Sequence, residues 1–212
     1  MRNILLYTAT GAQNLGDEHI LAEEVRYLGS KYPEAKICIA TYDATETARA
    51  ITSLLKGVTP EIKYVPYFPY AIQRHPLQNI RNLFQNIRAT WQADLVVIGG
   101  GGLFYDSEQG QNFCSQKWGW GIRLFIIQLF RKPLFYWSIG VDLTLPNLRS
   151  VSWWFTYSRA VVTVREAYSQ SLLSTIGVEA GYIADPVFLY TPPAVATGTN
   201  SDRRRVGIAL RP

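Results

Sequence analysis

Cysteine, histidine and methionine are scarce in this chain, and long uninterrupted apolar runs are missing. The two cysteines, Cys38 and Cys114, lie far apart without a second Cys or His at metal-ligand spacing, which argues against a disulfide framework and a zinc-type site. Free thiols in a reducing compartment, and no metal, are the expectation. The most apolar stretch, RLFIIQLFRKPLFYWSIGV (123–141), is broken by Arg131, Lys132 and Pro133, so neither half approaches the roughly 20 residues that a membrane-crossing helix needs. It reads as helix, turn and buried strand; with Trp153, Trp154 and Phe155 close behind, it is also a candidate for peripheral contact with a membrane surface. The first apolar run gives way to Thr8 and Gly11 before it reaches the length of a signal-peptide core, so the expected location is the cytoplasm, the inner face of the membrane included.

Dense charge is missing too. A net charge of +5 and a pI near 9.2 favour anionic partners, but Lys and Arg are scattered, and the only compact basic run is Arg203, Arg204 and Arg205. A nucleic acid would want a stripe of charge; scattered basicity suits a phosphorylated or nucleotide-linked small molecule better. Two phosphate-binding fingerprints are also lacking. No GxGxxG follows the first apolar run, and no Gly-Lys-Ser/Thr follows the glycines at 99–102, so neither a dinucleotide enzyme nor a P-loop enzyme is expected.

What is present is a regular alternation. With 48% apolar and only 17% charged residues, the chain can bury a core, which argues against disorder. Six short apolar runs, NILLYTA (3–9), KICIATY (36–42), IKYVPY (62–67), DLVVIGG (94–100), PLFYWSIG (133–140) and AVVTVRE (160–166), have the length and composition of strands buried on both faces. Between them, helical spacing sets Ile20, Leu21, Val25 and Leu28 along one stripe, and Ala167, Leu172, Leu173 and Ile176 along another that ends at Gly177. Strand and helix in turn predict an α/β fold with a parallel sheet covered by helices on both faces. After residue 190 the texture changes: TPPAVATGTNSDRRR (191–205) has linker composition, and VGIALRP (206–212) reads as a new strand. The expected organisation is a domain over 1–190, a linker over 191–205 and the first strand of a second domain over 206–212.

In such sheets ligands gather beyond the carboxyl ends of the strands, and three loops fall there. In the first, Asn14 or Asp17 can cap a helix whose positive end Glu18 also favours, while Gly11 and Gly16 permit tight backbone angles or close approach of a substrate; His19 follows. The second runs through Gly99, Gly100, Gly101 and Gly102 to Asp106, and offers backbone amides to an anion or a sugar. Asp106 can be a helix cap or a ligand to sugar hydroxyls. In the third, Arg165 ends an apolar strand and needs a partner, which can be a substrate carboxylate or phosphate, or Asp185 in ADPVF. Arg211 ends the last apolar run in the same manner.

Taken in this order, N-x-G-D (Asn14, Gly16, Asp17), D-x-V-x-x-G-G-G-G-L-x-x-D (Asp94 through Asp106), V-R-E before a helix that stops at a glycine (Arg165, Glu166, Gly177), the Asp185-Pro186 pair and the strand ending at Arg211 resemble the polysaccharide pyruvyl transferases. The resemblance spans essentially the whole chain. It implies a Rossmann-like domain forming the first half of a two-domain architecture of the GT-B type. It also implies that phosphoenolpyruvate, the donor substrate and not a bound cofactor, delivers a ketal to a sugar of a cell-surface polysaccharide or its lipid-linked precursor. On that reading Asn14, Gly16, Asp17, Gly100, Gly101, Gly102 and Asp106 face the acceptor, Arg165 and Arg211 bind anionic groups, and much of the donor site belongs to a second half, so this chain by itself is an incomplete enzyme. Two departures stand out: His19 occupies a position where relatives carry small or apolar residues, and SIGVDLTLP, with Asp142, replaces a Gly-x-Gly-Pro type of turn. Two rival readings keep the architecture and change the activity: a glycosyltransferase with a nucleotide-sugar donor, and a non-catalytic sugar-binding module.

Overall fold

A computed structural model describes residues 1–8, 10, 14–55, 60–69, 76–106 and 113–189. Eight strands, β1 (Asn3–Tyr7), β2 (Lys36–Thr41), β3 (Ile62–Pro66), β4 (Leu95–Ile98), β5 (Gly101–Tyr105), β6 (Leu134–Asp142), β7 (Ala160–Val164) and β8 (Gly181–Tyr182), form one sheet in which every pairing is parallel. Its order is β3-β2-β1-β4-β6-β7-β8, with β5 also paired to β6.

Six α-helices cover this sheet: α1 (Leu15–Lys31), α2 (Ala44–Leu54), α3 (Pro76–Gln92), α4 (Phe113–Leu129), α5 (Leu145–Ser150) and α6 (Ala167–Ser174). Because side chains alternate across a strand, a strand buried on both sides must feed two cores. Ile4 and Leu6 of β1 meet Leu21, Val25 and Ile51 of α1 and α2 in one cluster, while Leu5 and Tyr7 meet Trp120, Leu124 and Leu173 of α4 and α6 in the other. This is the Rossmann-like α/β architecture that the alternation predicts.

The glycine run is the point of difference. The sequence reads as a loop after the fourth strand, whereas the structure interrupts the strand only at Gly99 and Gly100 and resumes it as β5. The long strand β6 bridges the break, pairing with β4 through Leu134–Tyr136 and with β5 through Ile139–Asp142. The register along β6 shifts between Tyr136 and Ile139 against β7, and buried Ser138 takes a left-handed φ of 54° there. Glycines are thus needed because a strand changes course beside a bulged neighbour, and a turn alone would not require four. The linker at 191–205, the strand expected at 206–212 and Arg211 lie outside the described residues.

Candidate functional site at the crossover between β1 and β4

Strand β1 lies between β2 and β4, and the chain leaves β1 over one face and returns to β4 over the other. The crossovers diverge at this pair, opening a crevice beyond its carboxyl ends. The start of α1 and the glycine run both border it.

Asn14 caps α1, its side chain accepting the Gly16 N–H at 3.0 Å, so the structure chooses it over Asp17 as the cap. Asp17 stands in the first turn instead, directed across the crevice: a Cβ built on Gly101 would lie 3.5 Å from its Oδ1. His19 turns back along the helix and donates from Nδ1 to the Leu15 carbonyl at 2.8 Å. Gly101 has a φ of 106°, which side-chain-bearing residues rarely adopt. Gly100 is closed in by Ile20 of α1 and by Pro186, each of which would stand 3.1 Å from an added Cβ.

On the far wall Arg165 leaves the end of β7 and lies across the glycine faces of two strands. An added Cβ would meet its guanidinium at 3.7 Å from Gly102 and 3.3 Å from Gly140. Its Nη1 pairs with Asp185 Oδ2 at 3.2 Å, so the internal partner that the sequence offered is the one the structure uses. The Arg165 side chain nevertheless keeps about a third of its surface exposed, against 11% for Asp185. Asp185 is held in place by its own surroundings. It accepts the Val187 N–H at 3.1 Å, and Ser138 Oγ lies within hydrogen-bonding reach of the Ile183 and Ala184 carbonyls at 3.1 and 3.0 Å. The bulge in β6 therefore anchors the segment that carries the Asp-Pro pair. Asp17, Gly101, Gly102 and Arg165 come together; Asn14, Gly16 and Gly100 support them.

Asp106 takes the first of its two roles. It accepts the Thr144 N–H at 2.9 Å, the Thr144 hydroxyl at 2.8 Å and the Asn147 amide at 2.5 Å, and so satisfies the N-terminus of α5 from a neighbouring strand. Burial acts to raise its pKa, but these donors more than offset it and hold the carboxyl below the usual range. Its oxygens serve α5, the capping role that the sequence offered beside a role as ligand to sugar hydroxyls.

Three contributors were not legible in the sequence. Glu24, more than two helical turns inside α1, is fully buried and accepts the Gly100 N–H at 2.6 Å, while its second oxygen, Oε2, has no hydrogen-bond partner among the described residues. Burial pushes its carboxyl up to about 8, the Gly100 N–H lowers it, and the charge of Asp185 raises it further. Arg123 of α4 is buried with its guanidinium over Tyr67 at 4.2 Å and Trp120 at 4.9 Å, and it donates to the Phe68 carbonyl at 2.5 Å. Gly140 lies under the guanidinium of Arg165, which is 3.3 Å from where an added Cβ would stand. A Glu in an AEE run looks solvated, and an Arg among aromatics looks like a helix surface, so no sequence signal marked them.

The sequence matches the family model for polysaccharide pyruvyl transferase over residues 14–208. The chain belongs to that family. As a polysaccharide pyruvyl transferase family member it is a transferase-like enzyme of polysaccharide biosynthesis, and the matched span includes the motifs from Asn14 to Asp185-Pro186. No curated protein matches significantly. Among solved structures, one named "Putative oxidoreductase from Escherichia coli str. K-12" aligns at 12% identity and a TM-score of 0.36, covering 91% of this chain and 99% of its own. The N-acetylmannosamine-6-phosphate 2-epimerase from Clostridium perfringens aligns at 8% identity and a TM-score of 0.27, covering 88% of this chain and 87% of its own. Likenesses this loose bear on neither fold nor activity. Among the described residues, no group of three His, Cys, Asp or Glu side chains is placed to hold a metal ion, and no helix is long and apolar enough to cross a membrane.

Proposed function

We propose that this chain supplies the acceptor-side wall of a site in which phosphoenolpyruvate gives its three-carbon unit to two hydroxyls of a sugar, within a two-domain architecture of the GT-B type. The observation that carries this reading is the convergence of Asp17 and Arg165 on the glycine faces of β5 at the β1/β4 crevice. The reaction protonates the enol methylene of the donor to a methyl group. It leaves a cation at the adjacent carbon, which one sugar hydroxyl attacks; inorganic phosphate departs with the bridging oxygen, and the second hydroxyl closes the ketal. Each hydroxyl loses one proton: the two balance the one taken by the methylene and the one released with phosphate.

In this scheme Asp17 receives a hydrogen bond or proton from an acceptor hydroxyl, and the glycines at 101 and 102 let the sugar ring come against the backbone. Arg165, together with Arg211, holds the anionic groups of the donor. Asp185 keeps the Arg165 side chain in one orientation. The acceptor is a polysaccharide unit or its lipid-linked precursor at the cytoplasmic face of the membrane. The test is phosphate release from phosphoenolpyruvate in the presence of candidate lipid-linked sugars. Release that depends on the sugar and falls at least tenfold in Asp17→Asn supports the reading. Turnover of a nucleotide-sugar in its place would assign the chain to the glycosyltransferases.

A further inference from the structure

Helix α3 is inside out. On its sheet-facing side it buries Asn79, Asn82, Asn86 and Thr90, while Leu77, Ile80, Phe84 and Trp91 are 81, 53, 66 and 63% exposed. Spacings of three, four and seven residues place those four side chains along one stripe. A surface helix ordinarily turns such a stripe to the core. The inversion is fixed by hydrogen bonds: Asn86 Nδ2 donates to the Pro66 carbonyl at 2.9 Å, and Asn86 Oδ1 accepts the buried Tyr7 hydroxyl at 3.0 Å.

Helix α4 touches α3 on the same side of the sheet and adds Trp118 and Phe125, 72 and 60% exposed. They border an apolar groove of about 500 Å³ that Trp153 helps to line. The charge carried by the helices of this face has one sign. Helices α3, α4 and α5 contain no Asp or Glu and carry Arg81, Arg88, Lys117 and Arg149 at their surface, whereas α1 and α2, on the opposite face, contain Asp17, Glu18, Glu23, Glu24 and Glu46. Among the described residues none of those four cations pairs with a carboxylate.

We propose that the α3–α4 face docks on an anionic bilayer surface, with the Leu77–Trp91 stripe lying in the interface and the basic side chains among the headgroups. An apolar stripe with aromatic residues, flanked by Arg and Lys and free of acids, is what an interfacial helix requires. A second copy of this chain fits less well, because a two-fold contact would bring the same cations face to face. The sequence offers 123–141, with 153–155, as a candidate membrane contact. The structure buries Trp154 and Phe155 in the core, keeps Phe125 and Trp153 exposed, and adds the α3 stripe beside them. The proposal does not depend on the reaction catalysed.

The experiment is co-sedimentation of the 212-residue chain with vesicles of phosphatidylcholine alone or mixed with phosphatidylglycerol, followed by Trp fluorescence. Binding is expected only with the anionic lipid and is expected to weaken with salt. The double variant Phe84→Ser/Trp91→Ser should lose at least tenfold in affinity. Arg81→Gln/Arg88→Gln should lose about fivefold per charge, the equivalent of about 1 kcal/mol for each basic side chain near an anionic surface. All of these positions are exposed, so circular dichroism should be unchanged. Failure to bind either vesicle would overturn the proposal, as would full binding by Phe84→Ser/Trp91→Ser. Self-association that this double variant abolishes, without vesicle binding, would assign the face to a contact between copies; capture of an acidic protein without vesicle binding would assign it to a protein partner.

Discussion

The carboxyl of Glu24, wholly enclosed in α1, holds the backbone N–H of Gly100 at 2.6 Å and so ties the helix after β1 to the break after β4. The same carboxyl would stand 2.8 Å from a side chain on Gly99, measured at its carbon. Two motifs about eighty residues apart in the chain are joined through one buried acid, and the crevice between β1 and β4 takes its floor from that contact.

Glu24 gives stability a pH dependence. Burial raises its carboxyl from 4.5 in the unfolded chain to about 8 in the fold, so folding favours the protonated form. The stabilisation is then complete below about pH 4.5 and is lost as pH rises through about 8. Urea unfolding between those limits should show stability falling with pH by a few kcal/mol, an order-of-magnitude figure from about 1.4 kcal/mol per pKa unit. In Glu24→Gln the amide oxygen still accepts the Gly100 N–H, and this slope should flatten. An unchanged slope in the variant would show that other groups carry it.

The glycines separate by what surrounds them. At Gly99 an alanine methyl would overlap the Glu24 carboxylate, which has no space to retreat, and Gly99→Ala should cost about 1–3 kcal/mol in thermal or urea unfolding, as overpacked sites do. Gly16 is different: it sits in the first turn of α1, and among the described residues an added Cβ would meet only Asn14 Oδ1, at an ordinary 3.4 Å. Gly16→Ala should be neutral or gain up to about 1 kcal/mol from helix propensity. If the acceptor passes close to this backbone, the same variant should lose sugar affinity at intact or improved stability. Loss of stability without loss of affinity would mean that Gly16 is there for the fold.

The parts of this architecture that show in the sequence are those where composition and environment agree. Ile4, Leu5, Leu6, Val96, Val97 and Ile98 are apolar and buried on both faces, so their runs announce strands. Asn14, Asp17, Arg165 and the glycines stand out because polar or unbranched residues interrupt such runs at their ends. Where composition and environment disagree, the sequence misleads. The stripe of α3 looks like a core face and faces outward, and its asparagines look like a solvated face and are buried, Asn86 being held inside by hydrogen bonds with Tyr7 and Pro66. Gly101 and Gly102 look like a turn but pair as a strand, since their partner Ile139–Asp142 lies some forty residues on and leaves no local trace. That Asp106 caps α5 is not visible locally, because its partners Thr144 and Asn147 are equally distant in the chain.

Gly140 tests whether the position of Arg165 matters to function. A methyl at 140 would lie 3.3 Å from both Nε and Nη2 of Arg165, tighter than ordinary contact, but the crowded atoms are the end of a flexible side chain that is one-third exposed. The guanidinium can shift by a few tenths of an ångström at little energetic expense, so Gly140→Ala should change unfolding free energy by less than about 1 kcal/mol, the range of a mild overpacking. The shift nevertheless turns the guanidinium away from the β5 edge, where a bound phosphate or carboxylate would need its planar fork. A misplacement of that size in a positioning group is enough to slow a reaction about tenfold or more. With phosphoenolpyruvate as donor, KM should rise in Gly140→Ala while the protein melts near the wild-type temperature. Asp185→Asn, which removes the other restraint on the same side chain, should move KM in the same direction. Unchanged KM in both variants would place Arg165 in the fold alone, as the internal partner of Asp185.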